Sequence, residues 1–396
     1  MRVFYVASDI DLDGGHGGAT HVVEVAENLA ALGHKVHVFA RGRARLQGNP
    51  AYHPTPAHLP RYLRWLNAIA IRPCFRSLQP DILIERYYNF GGEGAWLTRR
   101  TKVPLVLEVN APMIEYPGSP KQWLDRILLV KPLESYRLWQ ADQAALIVTP
   151  LPSIIPSSVP QAKIQKLPWG VNTERFLARG ARAETRRRLG MPSDAPVALF
   201  AGSFRKWHGA EILINTACGM MWDPSIGLRV LLVGDGPAMP SVRRTIARSG
   251  YGHRFIIAGR VPYEQMPQVM EAADFAVAPF DTKAHPYLSL GFYWSPLKIF
   301  EAMAMGLPVV TIRRAELEEI VGDGGRYYAE GDREALTGAL VEMSHNTALR
   351  AQLGAAARLR ARQFSWRAHC QALSERLQSV LDEHRRARAL SDAGPP

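Results

Sequence analysis

One carboxylate in a short apolar helix is the residue best placed to do chemistry in this 396-residue chain. The run Ser295-Pro296-Leu297-Lys298-Ile299-Phe300-Glu301-Ala302-Met303-Ala304-Met305-Gly306 opens with a serine able to cap free backbone N–H groups and a proline suited to the first helical position. Gly306 and Pro308 then stop the helix. Between them stands a single acid, Glu301, with Lys298 one turn earlier on the same face. Burying a carboxylate is unfavourable unless hydrogen-bond donors meet it. A ribose diol supplies two such donors, and the helix N-terminus just before it suits a diphosphate. The alternative is a glutamate salt-bridged within a packed helix.

Further candidates lie in loops just after strand-like runs, where an open parallel sheet places its ligands. Gly14-Gly15-His16-Gly17-Gly18-Ala19-Thr20-His21 falls between a first strand and its helix, and its glycines permit close backbone approach to a ligand. It misses the dinucleotide fingerprint, because the last required glycine is Thr20 and the second strand ends at Ala40-Arg41 without an acid. Asp9, Asp11 and Asp13 imitate the start of a calcium loop, yet the twelfth position is Thr20 instead of glutamate. Calcium is therefore rejected, and one of these aspartates remains a candidate for a sugar hydroxyl. Gly202-Ser203-Phe204-Arg205-Lys206-Trp207-His208-Gly209 follows a later strand, and Arg205 with Lys206 could clamp a diphosphate. A solvated basic turn is the competing reading. Gly234-Asp235-Gly236-Pro237 reads as a structural turn, and His285, Tyr287 and Tyr293 lie in a long loop before Ser295.

The elements that must position these residues alternate regularly. Strands are expected at residues 3–7, 35–40, 81–85, 104–109, 144–148 and 163–167, with helices at 19–32 and 122–140. A second series follows at 197–201, 228–233, 255–258, 275–278 and 309–312. Short β-rich runs alternating with helices predict an α/β protein of two doubly wound, Rossmann-like domains facing a cleft. The boundaries read as a first domain over 1–170, a second over 171–365, an Arg-rich helix over 366–388 and a disordered tail over 389–396.

Length suits two domains. The formal charge of +12 and pI near 9.8 favour anionic partners without choosing among nucleotides, membranes and nucleic acid. Cys74, Cys218 and Cys370 match no metal-ligand spacing and argue for a reducing compartment. The first residues do not resemble a signal peptide, and no apolar run approaches the roughly 18 residues of a membrane span. A cytoplasmic protein is expected. No nucleic-acid-binding module is recognisable.

The ordered set of motifs resembles the retaining glycosyltransferases of family 4, with the GT-B fold. Its parts are the Gly-rich first loop, Gly170-Val171-Asn172, Phe200-Ala201-Gly202, Leu232-Val233-Gly234-Asp235-Gly236-Pro237, Ala273-Asp274 and the run from Phe300 to Val310. The resemblance implies an N-terminal acceptor domain, a C-terminal nucleotide-sugar domain and a terminal helix crossing back onto the first. It implies donor contacts at Gly17, Gly18, Ser203, His208, Gly234, Val261, Tyr293, Ser295, Pro296, Leu297, Lys298 and Glu301. Acceptor contacts would come from Asp13, His16, His21, Glu108 and Asn110. Three departures from the family pattern stand out: Tyr293 replaces a second glutamate, Ser203 and His208 replace the arginine and lysine of the phosphate clamp, and Asn110 replaces a histidine. Arg205 and Lys206 are expected to compensate, and Asn110 to contact the sugar.

Glu301, Arg205, Lys206 and Asn110 are thus the expected catalytic residues. Leaving-group charge would be met by Arg205, Lys206, Lys298 and helix N-termini. The second domain has no Asp-x-Asp motif, so no metal and no cofactor is expected beyond a UDP- or GDP-type sugar substrate. The acceptor reads as a saccharide or a lipid-linked one. Arg41, Arg43, Arg45, Arg61, Arg64, Arg72 and Arg76 occur with Tyr62, Trp65 and Phe75, and Lys121, Trp123, Arg126, Lys131, Arg137 and Trp139 form a second such stretch. These fit peripheral contact with the anionic inner face of a membrane, against a solvated basic surface. A nucleotide-sugar epimerase of the same fold and a non-catalytic binder are the other readings.

Overall fold

The computed structural model describes residues 1–14, 17–56, 59–116, 119, 131–293 and 296–392. His16, Ser295, residues 122–130 of the expected second helix and the basic-aromatic positions Lys121, Trp123 and Arg126 lie outside them. The chain divides into two compact units: Met1–Trp169 with Leu290–Ser295 and Trp366–Pro396, and Gly170–Ser289 with Pro296–Ser365.

The first unit is built on Arg2–Asp11 (β1), Lys35–Arg41 (β2), Ala51–Pro54 (β3), Ile82–Arg86 (β4), Leu105–Glu108 (β5), Ala144–Thr149 (β6) and Ile164–Lys166 (β7). They form one sheet in the order β3-β2-β1-β4-β5-β6-β7 with every neighbouring pair parallel. Its helices among the described residues are Gly17–Ala31 (α1), Asn67–Leu78 (α2), Glu93–Thr98 (α3) and Lys131–Gln143 (α4). The centre of β1 is buried without alternation, from Val3 to Ser8, as a strand covered on both faces must be. The edge strand β3 escapes sequence reading because it is four residues long and ends in Pro54, which an edge tolerates.

The second unit contains Arg182–Arg188 (α5), Val197–Ala201 (β8), Ala210–Met220 (α6), Arg229–Val233 (β9), Met239–Arg248 (α7), Phe255–Gly259 (β10), Met266–Glu271 (α8), Phe275–Ala278 (β11), Leu297–Ala304 (α9), Val309–Ile312 (β12), Ala315–Val321 (α10), Gly325–Tyr328 (β13), Arg333–His345 (α11) and Thr347–Ala361 (α12). Its sheet is also parallel, in the order β10-β9-β8-β11-β12-β13. Strand order reverses beside β1 and β4 in one unit and beside β8 and β11 in the other, so these are the ligand-gathering ends.

Trp366–Asp392 (α13) belongs to the first unit, where the Cys370 thiol meets the Val25 carbonyl of α1. This corrects the expected tail at 389–396: the helix runs four residues past 388, through Arg388-Ala389-Leu390, all strong helix formers.

Candidate active site

Helix α9 is set by its two ends. Pro296 is the cap residue, not the first helical residue as its sequence position suggested; its backbone is extended at φ −76 and ψ 92, with no side-chain cap bond. Its carbonyl accepts from Ile299 at 2.8 Å, which a residue lacking an N–H can still do. At the other end Gly306 takes a left-handed φ of +74, and Leu307 N–H bonds back to the Ala302 carbonyl at 2.9 Å, closing a Schellman turn. Arg358 of α12 donates to the Met305 carbonyl at 3.2 Å. Gly354 lets α12 come this close: a Cβ there would lie 2.3 Å from the Gly306 oxygen. The helix therefore cannot shift along its axis without breaking these contacts.

On this fixed helix Glu301 is buried, and burial raises its pKa to about 7, against the opposing pull of a Tyr263 hydrogen bond and of Lys298. Tyr263 is itself braced by Phe176, with ring centroids 5.5 Å apart, and by the Arg175 guanidinium 5.0 Å above its ring. Lys298 is more exceptional. Its ammonium is buried with no hydrogen-bond partner among the described residues, and burial lowers its pKa to about 7. It sits 4.9 Å from the ring centroid of Phe200, at the end of β8, and 5.2 Å from that of Phe280, just beyond β11. A Cβ placed on Gly202 would stand 3.0 Å from this ammonium and 3.8 Å from His208 Nδ1. His208 pairs its Nδ1 with the Ser203 backbone oxygen, and burial, with the nearby Lys298 charge second, drives its pKa far down. His208 is therefore a neutral imidazole and adds no positive charge.

The structure separates the donor-site candidates. Lys298, His208, Gly202 and Glu301 converge where β8 and β11 end. Arg205, Lys206 and Ser203 are exposed, so the two clamp cations expected from sequence point to solvent in this structure. Gly234 has a structural reason to be glycine: a Cβ there would stand 2.0 Å from the Gly202 carbonyl oxygen, so the two loops touch backbone to backbone. Val261 and Leu297 are half-buried, and Tyr293 is buried within the first unit. Tyr263, Phe200 and Phe280 were missed by sequence reading, since nothing in their local pattern distinguishes them from core aromatics.

At the corresponding end of the first sheet the polar residues close on one another. Glu108 accepts from Tyr5 Oη and from Asn110 Nδ2, both at 2.5 Å, and meets His21 Nε2. Arg86 Nη1 lies 4.0 Å from Glu108 and Arg86 Nε 3.5 Å from Asp9. Burial works to raise the Glu108 carboxyl, but His21, Arg86 and Tyr5 more than reverse it, leaving Glu108 ionised. Burial pushes the His21 imidazole down while Glu108 pulls it up, and its Nε2 faces the Glu108 carboxylate. Asn110 has both amide ends engaged, its oxygen accepting from Trp169 Nε1 at 2.7 Å. Trp169 also lies against His21, with centroids 4.4 Å apart, and His369 bonds the Pro168 carbonyl at 2.8 Å. The acceptor candidates His21, Glu108 and Asn110 are thus neighbours in a largely closed network, whereas Asp13 is exposed and Gly17 and Gly18 open α1. Arg86, Tyr5 and Trp169 went unassigned in the sequence because the strand order alone brings them together, and Asp9, one of three aspartates considered for a sugar hydroxyl, is the one that meets Arg86.

Of the basic-aromatic positions, Arg137 is buried and paired with Glu115 at 3.2 Å, and Trp139 packs on Trp96 and Tyr136. Phe75 is buried too. Tyr62, Ile69, Arg72 and Arg76 stay exposed along α2 and the turn before it.

Two all-parallel, doubly wound units of this kind define the GT-B class. The family model described as Glycosyltransferase Family 4 matches residues 15–175, and that described as Glycosyl transferases group 1 matches residues 195–346. The chain belongs to glycosyltransferase family 4. It is 27% identical to 2-deoxystreptamine N-acetyl-D-glucosaminyltransferase of Streptomyces fradiae over 69% of this chain and 65% of that protein. It is 25% identical to D-inositol 3-phosphate glycosyltransferase of Streptomyces griseus subsp. griseus, over 93% of this chain and 86% of that one. The chain spans about half, 50%, of another such enzyme, from Streptomyces scabiei. Among solved structures, sucrose-phosphate synthase from Thermosynechococcus elongatus superposes with a TM-score of 0.76 at 19% identity, covering 96% of this chain and 99% of that one. Anabaena HepE in complex with UDP gives 0.73 at 18%, covering 96% and 100%.

Proposed function

We propose that this chain is a retaining glycosyltransferase that moves a sugar from a nucleoside diphosphate sugar to a hydroxyl of a saccharide or lipid-linked acceptor. The observation that carries the reading is the buried Glu301 and Lys298 on α9, an acceptor and a donor one turn apart at the ligand end of a parallel sheet. Glu301 suits the two hydroxyls of a ribose. Lys298 suits the diphosphate, whose negative charge grows as the sugar leaves. No metal enters this scheme. The leaving phosphate guides a same-face substitution, which retains the anomeric configuration. A uridine nucleotide is favoured because the superposed HepE structures hold UDP and UDP-glucose.

A panel of UDP, GDP, ADP and their sugars in a thermal-shift assay tests the donor. UDP is expected to raise Tm, since a ligand bound only by the folded state stabilises it by mass action. No shift with any nucleotide would remove the reading, and donor conversion without acceptor would replace it with an epimerase. The exposed face of α2 favours a lipid-linked acceptor at an anionic surface: Ile69 is 69% exposed and Tyr62 62%, beside Arg72 and Arg76. Co-sedimentation with vesicles that is indifferent to anionic lipid would leave only the soluble saccharide.

A further inference from the structure

Two fully buried carboxyls of the first unit lie outside the Glu108 network: Glu85, near the end of β4, and Glu93, the first residue of α3. Between them the chain turns through Tyr87-Tyr88-Asn89-Phe90-Gly91-Gly92, directly after Arg86, whose guanidinium lies within ion-pair range of Asp9 and Glu108. Glycine makes the close approach possible. Gly92 takes a left-handed φ of +103, and a Cβ on Gly94 would stand 2.7 Å from Glu85 Oε2. The two carboxyls lie within hydrogen-bonding reach of each other, and their other contacts run to both legs of the turn. Glu85 accepts from Gly92 N–H at 2.5 Å and from Ala95 N–H at 3.1 Å. Glu93 Oε1 accepts from Tyr88 Oη at 2.6 Å, while Glu93 Oε2 meets no donor among the described residues.

We infer that Glu85 and Glu93 share one proton, and that this proton latches the turn at residues 87–92 onto the ligand end of the first sheet as a pH-sensitive catch. Two carboxylates in contact and out of water repel each other, and among the described residues no cation is paired with either. A proton between them engages the idle Glu93 oxygen and leaves one negative charge, which the Gly92 and Ala95 N–H groups meet. Burial, with Glu93 second, accordingly holds the Glu85 carboxyl well above the usual carboxylate range, and burial raises Glu93 as well. The groups around the pair supply no positive charge: Ser8 of β1 beside Glu93, Tyr88 with Asp9 acting on it, and Tyr136 and Gln140 of α4. The turn before α2, and α2 itself, pack on α3 and carry Arg64, Arg72, Cys74 and Arg76, none of them paired with either carboxyl. Loss of the shared proton sets two like charges against each other. Glu85 is fixed in the sheet, so the part that yields is the turn with α3, next to Arg86 and to the Glu108 carbonyl that accepts from Tyr87 N–H at 2.8 Å.

The inference does not depend on the donor, and its test uses the full-length protein without substrate. Infrared difference spectra of protein labelled with carboxyl-13C glutamate compare wild type with Glu93→Gln at pH 8, where Glu301, raised to about 7, is mostly ionised. Wild type is expected to show the carbonyl stretch of a protonated glutamate and Glu93→Gln to lack it, because the new amide donates to Glu85 in the proton's place. In urea, Glu93→Gln is expected to outlast wild type, by a margin in the unfolding constant that widens up to about tenfold per pH unit above the ordinary glutamate value of 4.5. The sign follows because folded wild type keeps a proton that its unfolded chain releases. Glu85→Gln is expected to lose stability instead, since its amide NH2 would face N–H groups. Hydrogen exchange over residues 87–98, corrected for the intrinsic rate, should quicken in wild type as the infrared band disappears with rising pH and stay slow in Glu93→Gln. A wild type without the band, a band that survives in Glu93→Gln, or a Glu93→Gln protein less stable than wild type at every pH would overturn the shared proton. A turn that stays protected while the band vanishes, or a band that persists until the whole protein unfolds, would overturn the latch.

Discussion

The ends of the two sheets bury charge with different numbers of partners. In the first unit, Arg86 sits within ion-pair range of both Asp9 and Glu108 although its Nε and Nη1 make no hydrogen bond among the described residues, Tyr5 and Asn110 donate to Glu108, and His21 Nε2 faces it. In the second, Lys298 has no hydrogen-bond partner among the described residues, and Glu301 has Tyr263 and the charge of Lys298 to set against its burial. A closed network secures a fold and fixes geometry. An open pair of buried charges is unfavourable in isolation and is completed by a ligand. On the proposed reading, the more densely paired end mainly fixes geometry and the sparsely paired end takes the donor.

The largest expected effect comes from opening the closed network. Glu108→Ala leaves Arg86 without its second counter-charge and strands the Tyr5 and Asn110 donors, so unfolding stability should fall by about 3–5 kcal/mol. Chemical denaturation reads this directly, and an unchanged midpoint would show that the network holds nothing. Asn110→Ala removes an amide wedged between Glu108 and Trp169 and should lower turnover about tenfold or more without changing UDP affinity. Equal turnover would remove Asn110 from the reaction.

The two ends should also respond oppositely to pH. His369 is driven down to about 4 and His21 is lowered as well, both chiefly by burial, so the unfolded chain binds more protons than the folded one below the ordinary histidine value. The histidine contribution to the stability of the first unit is then lost as pH falls from about 6.5 towards 4, with the depressed Glu108 adding to the loss below that range, while Asp9, Glu85 and Glu93, whose carboxyls burial raises, act in the opposite sense. Calorimetric Tm across pH 4–8, compared between wild type and His369→Gln, should show a smaller loss on acidification in the variant. Donor affinity moves the other way. With Lys298 lowered to about 7, its contribution to UDP binding should weaken as pH rises above 7 while Glu301, raised to about 7, ionises over the same range, so Lys298→Arg should remove the fall and leave the Glu301 gain.

The architecture was legible because both sheets are made of short β-rich runs punctuated by helices, and α9 announced itself by Pro296 and Gly306. Strands β3 and β13 were not, being four-residue edges with too few residues to show a period. Residue type pointed to Arg205 and Lys206, but exposure depends on where a loop turns, which its composition does not record. Lys298 was visible as a member of the helix, and its lack of a partner was not: that depends on Phe200, Phe280 and Gly202 arriving from other strands. Arg86 and Asp9 meet only through the reversal of strand order between β1 and β4.

The proposed grip of Glu301 on a ribose diol can be measured in one thermodynamic cycle. UDP and 2′,3′-dideoxy-UDP are titrated into wild type and into Glu301→Ala. Removing the diol should weaken binding to wild type by about 2–4 kcal/mol, the size of a hydrogen-bonded contact to a charged group, and should leave binding to Glu301→Ala nearly unchanged. An equal loss in both proteins would contradict the assignment of the ribose to Glu301.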